Sequence, residues 1–213
     1  MAFDEDDRDA RAAEGEPSGL SFSRRAFLKT VGGGTLAAGV LTPGVSDAQT
    51  VPGAVGPGPV AVQLTIDGKV HRLEVEPRTT LLDAMRDRLD VTGLKRVCDR
   101  GTCGACTVLV DGRTQYSCSH LAIEMQGVNI RTVEGLTHGT VLHPVQQAFC
   151  ETDGLMCGFC TPGFVMAATA LLEKNPHPSA EEAKAALNGN ICRCGTYTRL
   201  LEAVLQTKGV SRG

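Results

Sequence analysis

Long apolar runs, clustered positive charge and early cysteines are all missing from this 213-residue chain. The apolar stretch TVGGGTLAAGVLTPG (30–44) is broken by glycine and falls short of the about 20 apolar residues that a membrane-spanning helix needs. A formal net charge of −3 with no basic stripe excludes a nucleic-acid partner, which calls for clustered Lys and Arg. Gly32-Gly33-Gly34 lacks the Lys-Ser/Thr pair of a phosphate-binding loop. His71, His120, His138, His143 and His177 have no metal-ligand spacing, and the absence of paired Cys-x-His motifs excludes a Rieske-type centre. His143, before Pro144, reads as a helix cap or packing residue. The first 97 residues hold no cysteine.

All nine cysteines instead lie between Cys98 and Cys194. An odd count does not suit a pure disulfide framework. Cys192-x-Cys194 is too tight for good disulfide geometry but suits two thiolates on one metal centre.

Ahead of the cysteines, SRRAFLK (23–29) resembles a twin-arginine export signal through Arg24 and Arg25. An apolar segment follows, and Ser46-Asp47-Ala48 offers small residues for cleavage after Ala48. That export route carries folded proteins, so a cluster assembled on reduced thiolates could be inserted first. Residues 1–48 therefore read as a signal segment, and 49–59, containing VPGAVGPGP, as a Pro/Gly linker.

Residues 60–137 read as one unit of mixed strands around a helix, an α+β pattern. VAVQLTID (60–67) and KVHRLEV (69–75) alternate apolar and polar residues about an Asp67-Gly68 hairpin turn. Thr79 or Thr80 caps a predicted helix LLDAMRDRL with Leu81, Leu82, Met85 and Leu89 on one face. A second hairpin turns at Asp111-Gly112; a short helix (SHLAIEMQ) and a strand (VNIRTVEG) complete the unit. Cys98, Cys103, Cys106 and Cys118 follow the C-x4-C-x2-C…C spacing of plant-type [2Fe-2S] centres. Three thiolates then come from one loop and the fourth from a neighbouring strand. Gly101 and Gly104 allow close approach and aim N–H groups at the sulfurs.

Residues 138–208 read as helical and 209–213 as a tail. Four short helices are predicted, over HPVQQAFCET, PGFVMAATALLEKN, AEEAKAAL and TYTRLLEAVLQT. Cys157 and Cys160, with Gly158 between them, precede the second; Cys192 and Cys194 precede the fourth. Helix N-termini favour an anionic centre at both places. Cys157-x-x-Cys160 alone fits a dithiol, zinc or an iron–sulfur centre, and the two-plus-two pairing suits zinc as well. No βαβ pattern surrounds it to make it thioredoxin-like. Cys150 fits neither set and reads as a small buried hydrophobe. Met156 and Met166 read as packing residues.

Taken together, CDRGTCGACTVLVDG with Cys118, CGFCTPGFVMAATALL and GNICRCGTY resemble the iron–sulfur subunits of the xanthine oxidase family of molybdenum hydroxylases. The export signal makes the periplasmic aldehyde oxidoreductase branch the most similar. The resemblance implies a β-grasp, plant-ferredoxin-like domain followed by an all-α four-helix-bundle domain, each with a [2Fe-2S] cluster. It implies that Cys98, Cys103, Cys106 and Cys118 hold the cluster towards the electron exit. Cys157, Cys160, Cys192 and Cys194 would then hold the cluster nearer molybdenum, with Cys194 against the pterin. The partners it implies are a large molybdopterin subunit, a subunit binding FAD or another acceptor, and the twin-arginine export machinery. Aldehydes are the favoured substrates; purines, N-heterocycles and carbon monoxide belong to the same family. A free-standing two-cluster carrier is the alternative from another class.

The family usually has Gln before the CGFC segment, where it bonds the pterin; this chain has Met156, at best a weak acceptor. Met156→Gln should therefore speed reduction of the neighbouring cluster by substrate, read by stopped-flow absorbance. An unchanged rate would place the pterin contact elsewhere.

Overall fold

The computed structural model describes residues 55–207. Arg24, Arg25, the cleavage site at Ala48, the first part of the 49–59 linker and the 209–213 tail lie outside the described residues. Among the described residues, no helix is long and apolar enough to cross a membrane.

Alternating apolar residues build the first hairpin, β1 (Val60–Ile66) and β2 (Lys69–Val75), in antiparallel register from Val60↔Val75 to Ile66↔Lys69. Its two-residue turn holds Asp67 and Gly68 at φ 49° and 76°, the left-handed pair that matches strand twist. The same device, Asp111 and Gly112 at φ 48° and 78°, joins β3 (Thr107–Val110) to β4 (Arg113–Tyr116). β5 (Asn129–Arg131) lies between the hairpins, parallel to β1 and antiparallel to β3. The sheet order is β2-β1-β5-β3-β4.

α1 (Leu81–Asp83) packs Leu81 and Leu82 into the core and is capped by the Thr80 hydroxyl, which accepts from the Asp83 N–H at 3.1 Å. The sequence predicts a regular helix through Leu89. The chain instead widens into one π-type turn, Ala84–Arg88, which keeps Ala84 and Met85 buried and leaves Leu89 only partly covered. That turn anchors the segment leading to Cys98. Arg86 donates to the Thr92 and Leu94 carbonyls at 2.8 and 2.5 Å. Arg96 pairs with Asp87 at 2.8 Å and also with Asp83. The predicted helix SHLAIEMQ is replaced by two short 3-10 turns, Ser117–Ser119 and Ala122–Met125.

β3 is buried on both faces. Val108 joins the core that contains α1, whereas Leu109 joins a second core formed with the helices that follow. Those helices are α2 (Pro144–Glu151), α3 (Thr161–Lys174), α4 (Ala180–Leu187) and α5 (Tyr197–Gln206). Their shared interior includes Val145, Ala148, Phe149, Phe164, Met166 and Leu200. Reciprocal caps fix two of the starts. His143 Nδ1 accepts from the Val145 N–H while Gln146 accepts from the His143 N–H, and Ser179 and Glu182 exchange the same bonds.

Cys150 is exposed, contrary to its reading as a buried residue. The inward stripe of α2 is Val145, Ala148 and Phe149, and one further residue turns the side chain about 100° away from it. Met166 is fully buried as expected, but Met156 is 66% exposed, because it lies in the loop before α3 rather than on a core-facing helix.

α3 begins against the cysteine loop of the sheet. A Cβ at Gly163 would come within 2.1 Å of the Gly104 carbonyl oxygen, and backbone there cannot swing aside. Gly163→Ala should gain at most about 1 kcal/mol of helix propensity and lose more to overpacking, which typically costs about 1–3 kcal/mol. Net destabilisation is expected, measured by urea unfolding followed by circular dichroism; an unchanged or raised midpoint would contradict this packing.

Candidate iron–sulfur centres

The loop that carries Cys98, Cys103 and Cys106 reverses direction through three residues with left-handed backbone: Asp99 (φ 56°), Gly101 (66°) and Gly104 (70°). This curvature turns backbone donors inward. The Gly101 N–H donates to Cys118 Sγ at 3.2 Å, and the Thr102 N–H reaches Cys98 Sγ at 3.5 Å. Cys118 sits on the 3-10 turn after β4. Ser117 fastens that turn to Cys106 by donating its N–H (3.3 Å) and its hydroxyl (2.9 Å) to the Cys106 carbonyl. The thiols face each other two by two, Cys98 with Cys103 and Cys106 with Cys118.

Gly104 serves a different purpose from Gly101. Its carbonyl accepts from the Thr107 N–H (3.1 Å), the Thr107 hydroxyl (2.6 Å) and Asn190 Nδ2 (2.8 Å). A Cβ there would meet Asn190 at 2.4 Å and the Gly189 carbonyl at 2.6 Å. It therefore admits the helical part of the chain.

In the second set, Cys160 is the N-cap of α3, with Pro162 in the first turn, where a missing N–H costs nothing. Cys192 and Cys194 lie just ahead of α5, whose N-cap is Thr196. Gly158 and Gly195, both at φ 81°, supply the left-handed bends beside the cysteines. Cys160 faces Cys192, and Cys157 faces Cys194. Cys192 is buried while Cys157 and Cys194 are exposed. Met156, Phe159, Ile191 and Tyr197, large and largely apolar side chains open to solvent, neighbour these cysteines along the chain.

Local fields divide the thiols. Burial pushes Cys106 up to about 11, against the Cys118 backbone donor. Burial, then Cys192 and Cys157, pushes Cys160 up to about 12. Burial opposes ionisation of Cys98 too, but the backbone donors of Arg100, Thr102 and Cys103 outweigh it and bring Cys98 to about 7. Burial is likewise outweighed at Cys192, which the hydroxyl and N–H of Thr196, Cys160 and the Cys194 N–H bring to about 7. Each set thus contains one thiol that oriented donors bring down and one that desolvation pushes up.

Among the described residues, no three His, Cys, Asp or Glu side chains converge as a single metal ion requires. Two facing pairs per set suit a binuclear centre, in which each iron would take two thiolates. A further sign of fit is Thr161 Oγ1, adjacent to Cys160, the one buried side-chain polar atom without a hydrogen-bond partner among the described residues. A cluster whose iron Cys160 ligated would bring sulfur acceptors near that hydroxyl.

The two sets are joined directly. The Ile191 N–H donates to the Cys103 carbonyl at 2.9 Å, linking the residue before Cys192 to a cysteine of the first set. Tyr116 Oη donates to the Gly189 carbonyl at 2.7 Å beside it. Sequence reasoning brought together all eight cysteines and placed Gly101 at a sulfur, but missed Asn190, Thr161, Thr196 and Tyr197. Thr196 carried a signal in its position at a helix start two residues after a cysteine; Asn190 carried none.

Residues 64–132 match the 2Fe-2S iron-sulfur cluster binding domain family, and residues 132–205 match the [2Fe-2S] binding domain family. The chain is 41% identical to the aldehyde oxidoreductase iron-sulfur-binding subunit PaoA of Escherichia coli K12, over 94% of each chain. It is 47% identical to the nicotine 6-hydroxylase small subunit of Paenarthrobacter nicotinovorans, over 70% of this chain and 90% of that one. Among solved structures it resembles quinoline 2-oxidoreductase from Pseudomonas putida 86, with a TM-score of 0.67 and 41% identity over 69% of this chain and 91% of that chain. It also resembles the aldehyde oxidoreductase of Desulfovibrio gigas, with a TM-score of 0.67 and 36% identity over 71% of this chain and 17% of that chain. With paired cysteines in two [2Fe-2S]-binding domains and this identity over almost its whole length, the chain belongs to the iron–sulfur subunits of the xanthine oxidase and aldehyde oxidoreductase family of molybdenum hydroxylases.

Proposed function

We propose that this chain conducts electrons, one at a time, from a molybdenum–pterin subunit that oxidises an aldehyde to an FAD subunit or another acceptor. Cys98, Cys103, Cys106 and Cys118 hold one [2Fe-2S] cluster, and Cys157, Cys160, Cys192 and Cys194 hold the other. Each cluster, when bound, supplies a one-electron site. The observation that carries the reading is the 2.9 Å Ile191–Cys103 hydrogen bond, which leaves a short, rigid route of backbone between the two sets.

The chain's own residues bind, insulate and orient. Gly101 and Thr102 direct N–H groups at sulfurs of the first set. Such donors favour negative charge on sulfur, as a thiolate ligand requires. Asn190 and Gly163 hold the second set against the first. Met156, Phe159, Ile191 and Tyr197 form an apolar rim at the exposed Cys157–Cys194 pair, suited to docking on the large subunit, with Cys194 foremost towards the pterin. Gly158 bends the loop that presents Cys157. The sheet order with α1 across one face supports a β-grasp fold, and the shared interior of α2 to α5 supports a four-helix bundle.

An aldehyde is favoured as substrate by the match to PaoA over 94% of both chains. Export to the periplasm by the twin-arginine route is supported by the Arg24-Arg25 pair in SRRAFLK and the apolar segment that follows it. Relatives named for nicotine, caffeine and xanthine keep N-heterocycles as the competing substrate class.

Native purification should yield this chain with molybdenum- and flavin-containing subunits, and dithionite reduction should give two distinct [2Fe-2S] EPR signals. Cys192→Ser should remove or alter one signal and leave the other. A single signal, or zinc in place of iron, would overturn the reading; Lys substitutions at Arg24 and Arg25 should keep the protein out of the periplasmic fraction.

A further inference from the structure

We propose that Thr196 is a positioning residue that sets the reduction potential of the C-terminal cluster by donating a hydrogen bond from its hydroxyl to Cys192 Sγ. The inference rests on the proposed assignment of Cys192 as a cluster ligand. Thr196 Oγ1 lies 3.1 Å from Cys192 Sγ, and both residues are buried. An iron-bound thiolate has no proton to give, so the hydroxyl is the donor in the loaded protein.

Two features set this contact apart from a chance approach. Thr196 occupies the N-cap of α5, where a threonine hydroxyl ordinarily accepts an N–H from the first turn of its own helix. Thr196 makes no such bond, so its hydroxyl serves the sulfur instead. The Cys192 backbone is also held in place: its N–H donates to Tyr197 Oη at 2.9 Å, and the preceding Ile191 N–H is bound to Cys103. The nearest counterpart in the first set is looser, with Ser119 Oγ 3.8 Å from Cys118 Sγ.

The sign follows from charge. Reduction adds an electron to the cluster and increases the negative charge shared by its sulfurs. A donor to sulfur therefore stabilises the reduced form more than the oxidised form and raises the potential. Losing one such donor should change the reduction equilibrium about tenfold, equivalent to about 59 mV for a one-electron couple.

The test is an EPR-monitored redox titration of the assembled holoenzyme carrying T196V, T196A or T196S. Both T196V and T196A should lower the midpoint of the C-terminal cluster by about that amount. T196S, which keeps the hydroxyl, should stay near the parent value, and the N-terminal cluster should not move in any variant. Unshifted C-terminal midpoints in whichever of T196V and T196A retains both EPR signals would overturn the inference, as would an equal shift in T196S. Absence of the second [2Fe-2S] signal from the unsubstituted protein would instead overturn the ligand assignment, and this inference with it.

Discussion

Everything between the two cysteine sets depends on the crowding around the Gly104 carbonyl. That oxygen receives the backbone and hydroxyl of Thr107, receives Asn190 from the far end of the chain, and lies against Gly163 at the start of α3. No side chain fits at Gly104 or Gly163. The contact is thus made largely by backbone, with Asn190 as a side-chain clasp at the Gly104 carbonyl. Backbone-to-backbone approach has little freedom to relax, and protein interiors transmit such constraint rather than absorb it. The positions of Cys103 and Cys106, on either side of Gly104, and of Cys160, three residues before Gly163, are therefore set by one junction.

Around that junction the thiols are not equivalent. Cys98 and Cys192 are brought to about 7 because oriented donors outweigh burial, while Cys106 and Cys160 are driven to about 11 and 12 because burial dominates. The division follows the placement of backbone and hydroxyl donors, which outweigh burial at Cys98 and Cys192 but not at Cys106 and Cys160.

How much of this was legible in sequence follows from what spacing can encode. The first set was legible because its ligand spacing is local, a loop of fixed length encircling a centre of fixed size; the second set, whose spacing suits zinc as well, was legible only through the family resemblance. The two Asp-Gly hairpins were legible for the same reason as the first set, since their chemistry closes within four residues. The long-range contacts were not. Asn190 meets Gly104 across 86 residues, and no local pattern announces that contact. The π-type turn after α1 was hidden because the pattern of Leu81, Leu82, Met85 and Leu89 fits a regular helix; the Asp83 and Asp87 pairing with Arg96 is made only in the folded chain. Cys150 was misread for want of a face. Its residue type favours burial, but the inward stripe of α2 is already filled by Val145, Ala148 and Phe149.

The sets also differ in how they meet water, and the difference has a direction. Cys106 and Cys118 are buried, and Cys98 and Cys103 partly so, whereas Cys157 and Cys194 lie open within an apolar rim. A charged centre at an open surface is surrounded by water dipoles that must reorient whenever its charge changes. Covering the rim with an apolar partner surface removes those dipoles and leaves fixed donors such as Thr196 to do the stabilising. On the proposed function, docking therefore does more than shorten the distance to molybdenum. It changes what sets the energy of the electron at the C-terminal cluster, from mobile solvent to the protein's own fixed dipoles, while the buried N-terminal set changes little. The exposed rim and the buried hydroxyl at Cys192 are then two parts of one arrangement, in which the cluster reaches its working potential only when the partner has expelled the water.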